Sequence, residues 1–346
     1  MIDTLIFSKT DFILCEVRVP SSYPQSQTHS GIAYWGGKLY LTCSPFPAKK
    51  LSRLGGYWQA FLQKISGGQL GKPIDAERFE NPILYSAALS GSEPPVFFEP
   101  ESPFPLMDTP KPIYGLPAYN SDPDIFIEDG EVYILNRTYY RRPLTNGKFE
   151  KEILISLIRG TVDENGYHYN TISEFKRTTD SFISPCLTKY KGEYLLTHLE
   201  TNSAINGHSF DGLFIQKSQT VEGLRENGAI SKVEIESDDL LPWHMSVFTY
   251  KDRLFTVIAC VKKGDTSHIW QMLGAFDENL TFLKIFPRPL TDYNSYRGAA
   301  IVVNGEFVLY STTLNDKVKG SRAVDGRDII MAKMPMEKLF KELKLE

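Results

Sequence analysis

Five polar residues, His29, Asp122, Ser184, His244 and Arg297, share one register. Each stands eight positions before a turn residue: Gly37, Gly130, Gly192, Asp252 and Gly305 in the same order. Two imidazoles, a carboxylate, a hydroxyl and a guanidinium drawn to one point could orient a polar ligand, move a proton or stabilise a developing charge. Taken singly, a His or an Asp at such a position is an ordinary structural group or turn cap, so the information lies in the recurrence. One residue on stand Ser30, Pro123, Pro185, Met245 and Gly298, and three residues on stand Ile32, Ile125, Leu187, Val247 and Ala300. A polar mouth is followed by an apolar row.

The elements that must position these residues are repeated strands. Segments 29–43, 122–136, 184–198, 244–258 and 297–311 each read as a lead-in, an alternating apolar run, a tight turn and a second apolar run. Further strand pairs lie between them, with turns at Asp163-Glu164-Asn165 and Asp277-Glu278-Asn279. Four strands per repeat and five repeats predict an all-β, five-bladed β-propeller, a single domain over residues 1–346 with the first strand of each repeat innermost. Residues 46–120 read as an insertion looping over one rim, with a short helix among Leu51, Leu54, Trp58, Phe61, Leu62 and Ile65. The N-terminal stretch reads as two strands joined at Lys9-Thr10 that close the ring on the last blade. Met336, Leu339, Phe340 and Leu343 share one face of a C-terminal helix at about 335–345.

Composition narrows the function classes. The 346 residues carry a net charge of −4 and no basic block able to track a phosphate backbone, so nucleic acid is not an expected partner. No run approaches the ~20 apolar residues of a membrane span, and the first residues lack a signal-peptide pattern, so a cytoplasmic location is expected and a membrane partner is not. Cys15, Cys43, Cys186 and Cys260 are scattered without pairing, as buried free thiols would be. Motifs for a serine nucleophile elbow, a zinc protease helix, a nucleotide-phosphate loop and a dinucleotide fold are absent. Asn136-Arg137-Thr138 matches a glycosylation sequon. Neither a metal nor a cofactor is called for; a divalent ion held at the axis by His29, His244 and Asp122 is the minor alternative.

The segment from Ser121 to Tyr133, with its Asp122-Pro123, resembles the Asp-Pro strand motif of five-bladed propeller glycosidases such as glycoside hydrolase family 43. Ser184-Pro185 with Tyr190-Lys191-Gly192 resembles their later blade, and Trp243-His244-Met245-Ser246-Val247 a blade with an axial His. The resemblance implies that Asp122 acts as general base. It also implies a Glu donor before a later Pro, but Ile183 and Ser184 occupy those places. Asp180, Asp239 and Asp292 each precede an inner strand, and Asp180 is the first choice for a replacement acid. Family 130 phosphorylases, also five-bladed, show a similar Asp-Pro strand and need only one carboxylic acid. In that reading His29, His244, Arg297, Arg137 or Tyr296 would bind phosphate.

The expectation is therefore a glycoside hydrolase-like protein acting on a carbohydrate in an axial pocket. Asp122 is its central carboxylate and Asp180 the candidate acid. His29, Ser184, Trp243, His244, Tyr296 and Arg297 form the binding set, with Arg297 keeping Asp122 ionised. Tyr119 and Tyr293 are further aromatics near the expected mouth, whereas Tyr34 and Trp35, close to a turn, read as core or surface packing. A phosphate-dependent phosphorylase and a non-catalytic carbohydrate-binding propeller are the alternatives.

Overall fold

The computed structural model describes residues 5–345, apart from 22, 47–79, 92, 102–104, 112, 115–117, 146–148, 205–206, 226–229, 238 and 324–325. A single turn of 3-10 helix, Lys9–Asp11, precedes two short strands, β1 (Ile13–Leu14) and β2 (Glu16–Val17). The first blade holds β3 (Ser26–Trp35), β4 (Lys38–Phe46), β5 (Ile83–Ala88) and β6 (Phe97–Pro100). The second holds β7 (Tyr119–Glu128), β8 (Glu131–Pro143), β9 (Phe149–Asp163) and β10 (Gly166–Thr178). The third holds β11 (Ile183–Tyr190), β12 (Glu193–Ala204), β13 (Gly207–Ser218) and β14 (Ile230–Glu236). The fourth holds β15 (Leu240–Tyr250), β16 (Arg253–Lys262), β17 (Asp265–Phe276) and β18 (Phe282–Ile285). The fifth holds β19 (Ser295–Val303), β20 (Glu306–Thr313) and β21 (Ile329–Pro335), followed by helix α1 (Met336–Leu343).

Within each blade the strands pair antiparallel in chain order, and β3, β7, β11, β15 and β19 each abut the next around a closed ring. This is a five-bladed β-propeller with a C-terminal helix, as the repeats predict. The innermost hairpins turn on consecutive residues with positive φ: Gly36-Gly37, Asp129-Gly130, Lys191-Gly192, Lys251-Asp252 and Asn304-Gly305. Their backbone twist matches that of the flanking strands, which is why these short loops recur in every repeat.

Ring closure is shared by both chain ends. β1 pairs with β21 of the last blade, while β2 runs parallel to β6 of the first, so one short segment stitches the two blades together. Leu39, Leu41, Ile83, Tyr85, Tyr310 and Cys15 are buried in the seam they close. Each such side chain contributes roughly 1.5–3 kcal/mol of burial. The predicted pair of strands joined at Lys9-Thr10 is corrected, because that dipeptide lies in the 3-10 turn, capped by the Ser8 and Asp11 side chains, and both strands follow it. Residues 46–120 are likewise more than a rim insertion, since β5 and β6 within them complete the first blade. The helix expected between Leu51 and Ile65 lies outside the described residues. α1 buries Met336, Leu339 and Leu343 against Phe255 and Phe307, with Phe340 half-buried. All four cysteines are free and buried. Among the described residues, no helix is long and apolar enough to cross a membrane.

Candidate active site at the head of the axis

Each inner strand breaks its pairing at its head. Two residues of β3, β7, β11 and β19 (29–30, 122–123, 184–185 and 296–297) face one residue of the neighbouring strand, and in β15 the extra residue is Trp243. Such bulges re-aim side chains. His29, Asp122 and Ser184 take φ of 58°, 52° and 50°, a left-handed conformation that L-residues hold only when the surroundings impose it. Pro123 and Pro185 fit the unpaired positions because proline has no N–H to lose from the ladder. Local backbone geometry thus turns the head of each strand onto the axis.

The result is a buried cluster centred on Asp122, which is fully inaccessible. Its Oδ1 lies 2.7 Å from His29 Nδ1 and 3.6 Å from His244 Nδ1. Its Oδ2 lies 3.1 Å from Arg137 Nε and accepts the Ser184 backbone N–H at 3.2 Å. Ser184 Oγ and His244 Nδ1 are 2.9 Å apart, and Ser121 Oγ and His29 Nε2 are 3.3 Å apart. Burial opposes ionisation of Asp122, but Arg137 first, then His29 and His244, hold its carboxyl well below the usual range. Burial lowers both imidazoles, His244 further than His29, with Asp122 opposing and Arg297 and Arg137 reinforcing. The cluster is therefore a carboxylate balanced by a guanidinium and flanked by two neutral imidazoles. His29, Asp122 and His244 also bring potential ligand atoms within 4.8 Å of one another, the donor set of a divalent cation site. Arg137 already supplies the counter-charge that such an ion would bring.

Arg297 does not serve Asp122, and this corrects the sequence expectation. It is fully buried and crosses the axis below Asp122, donating to Pro123 O at 3.0 Å and Asp124 Oδ1 at 3.1 Å. The cation on Asp122 is Arg137, from β8 opposite Ser121. Asn136 beside it is fully buried and donates to Asn120, so the sequon is no glycan acceptor in the fold.

Above the cluster opens a cavity of about 520 Å³ lined by Tyr119, Arg137, Tyr139, Lys151, Ser181, Trp243, His244 and Tyr296, among others. Tyr296 packs on both imidazoles, with ring centroids 5.0 Å from His29 and 4.6 Å from His244, and burial pushes its phenol up to about 12. Asp122 and His29 do not line the cavity; His244 does. Tyr34 lines the opposite end of the channel and Trp35 packs near Gly130, away from the mouth as their place by the turn suggests, while Tyr293 leaves the expected mouth and lies in the core against Phe12. Asp180 is exposed and accepts from Thr178 Oγ1 at 3.0 Å in a local turn, one residue before the lining Ser181. Asp239 and Asp292 do not line the cavity either.

The structure adds groups that the register could not reveal. Lys151 reaches the cavity from β9, and buried Glu80 lies near enough to Arg137 and Tyr296 to act on both electrostatically. Asn81 next to it is held by Asn120 and Thr109. No periodicity marks either residue. A basic residue one place after Asn136, opposite the Asp-Pro bulge, was the available signal for Arg137.

No protein-family sequence model matches the chain, and no curated protein matches it by sequence. Solved structures do match in fold. A xylan beta-1,4-xylosidase from Bacillus halodurans C-125 aligns with TM-score 0.59 at 13% identity, over 90% of this chain and 53% of that one. A family 117 glycoside hydrolase, Zg3597 from Zobellia galactanivorans, aligns with TM-score 0.55 at 12% identity, over 93% and 89%. A GH43_1 enzyme from Xanthomonas citri, complexed with xylotriose, aligns with TM-score 0.52 at 11% identity, over 89% and 87%. The resemblance to propeller glycosidases read from the strand motifs is borne out at the level of fold.

Proposed function

We propose that this chain binds a glycan or glycoside in the axial cavity and acts on it as a glycoside hydrolase does, with Asp122 as the central carboxylate. One observation carries the reading. A cavity walled by Tyr119, Tyr139, Trp243 and Tyr296, faces on which sugar rings stack, ends on a buried cluster able to hold and move a proton. The similar fold solved with xylotriose supports carbohydrate as the ligand class. Asp180 at the rim is the carboxyl for the donor's part.

The test is a panel of aryl glycosides and oligosaccharides, with and without phosphate, incubated with wild type, Asp122→Asn and Asp180→Asn, assaying released sugar and sugar phosphate. Release by wild type and none by Asp122→Asn is expected. Asp180→Asn should lose the oligosaccharides, whose leaving groups need a proton, before the activated aryl glycosides. Arg137 and Lys151 on the cavity wall favour a second reading, phosphorolysis, which would appear as sugar phosphate formed only with phosphate present. Silence across the panel while glycans raise the melting temperature would replace both enzyme readings with a binding propeller.

A further inference from the structure

Asp122 and His244 are both buried, but only His244 forms part of the cavity lining. Asp122 is fully inaccessible, with His29 and His244 at one oxygen and Arg137 and the Ser184 N–H at the other. His244 lines the cavity, and its Nε2 is a buried nitrogen with no hydrogen-bond partner among the described residues. Its other nitrogen, Nδ1, lies 2.9 Å from Ser184 Oγ and 3.6 Å from Asp122 Oδ1. A lone pair on Nδ1 would face a carboxylate, whereas an N–H there is attracted by it. The proton is thereby assigned to Nδ1 and the lone pair to Nε2.

We propose that His244 Nε2 is the group that meets the substrate: Asp122 and Ser184 fix the imidazole tautomer, and the Nε2 lone pair accepts the proton of a water or sugar hydroxyl in the cavity. Asp122 is then a positioning residue that also stabilises the imidazolium formed. The inference deepens the hydrolase reading and rests on it for the substrate. In hydrolysis, Nε2 takes a proton from water as the water oxygen bonds to the anomeric carbon. The glycosidic C–O bond breaks with its electron pair, and the leaving oxygen takes a proton from the rim acid.

The charged and titratable groups facing His244 are Asp122 from β7, His29 from β3, Arg137 from β8, and Tyr296 and Arg297 from β19. Only Asp122 favours the imidazolium, so the ring is neutral at pH 7 and ready to accept.

Two-bond ¹⁵N–¹H NMR of histidine-labelled protein reads the tautomer without any substrate, with His244 assigned through His244→Gln. The expected spectrum shows a neutral Nδ1–H ring at pH 7 that moves toward the Nε2–H form in Asp122→Asn. Ser184→Ala serves as the second variant if Asp122→Asn does not fold. An Nε2–H ring in wild type, or one indifferent to both variants, overturns the proposal. On any glycoside that wild type turns over, His244→Gln and Asp122→Asn should each lose about 10²–10⁴-fold in kcat, and the double variant little more. Independent, multiplying losses would also overturn it. If wild type turns over nothing, the hydrolase reading fails, while the tautomer still decides whether Nε2 is the cavity's acceptor.

Discussion

Asp122 and Asp124 sit two residues apart on one strand, both buried, and their surroundings drive them in opposite directions. Asp122 meets a guanidinium, two imidazoles and a backbone N–H, and its carboxyl is held well below the usual range. For Asp124 burial dominates: its charged partner, Arg297, only partly offsets it, and its carboxyl is pushed up to about 6. Equal burial therefore does not set ionisation; the number of partners that reach the carboxylate does. The upper layer is organised around a fixed charge facing a cavity, and the lower layer is a neutralised plug across the axis.

The largest expected effect breaks the lower layer. Arg297→Met leaves Asp124 buried without its cation and should cost roughly 3–5 kcal/mol in urea unfolding, most of it recovered by adding Asp124→Leu. A single variant as stable as wild type would mean that the pair is not what keeps Asp124 charged. Next comes pH. A carboxyl whose folded value is raised to about 6 favours the protonated form, so its share of stability is present below about pH 4 and lost as pH rises to 6, on the order of 3 kcal/mol. Asp122 has the opposite sign: its contribution is present above about pH 4 and lost only as pH falls through its depressed value. Urea midpoints of wild type and Asp124→Asn between pH 4 and 6 should differ in slope, and parallel lines would remove the contrast.

Smaller effects sharpen the picture. Gly31 lets blade one approach Asp124, since an added Cβ would lie 2.7 Å from Thr42 Oγ1 and 3.1 Å from Asp124 Cα. Gly31→Ala should destabilise by about 1–3 kcal/mol, and a neutral result would show that the ring relaxes there freely. Asp180→Asn is expected to change stability by less than about 0.5 kcal/mol, because the group is exposed. A larger thermal shift would reveal a structural role and undercut its use as a donor.

The register of His29, Asp122, Ser184 and His244 was legible because each repeat carries the same strand and turn, so equal positions converge when the ring closes. Arg297 was legible as an axial residue, yet its partner was not, because a long side chain reaches across blades that no local pattern orders. Glu128 shows the same limit. Next to a hairpin turn in the sequence, it receives Lys189 Nζ at 2.6 Å and Tyr194 OH at 2.5 Å from the next blade. Glu80 and Lys151 carried no periodic signal at all.

Strand alternation, tight-turn residues and their spacing, all local properties of the chain, determine the five blades and which residues head them. The tertiary structure alone decided that Arg137 rather than Arg297 neutralises Asp122, that Asp122 is closed off, and that His244 rather than Asp122 lines the cavity. Those outcomes depend on angles and depths around a shared axis. They are set by how whole sheets pack on one another, and no single segment encodes them.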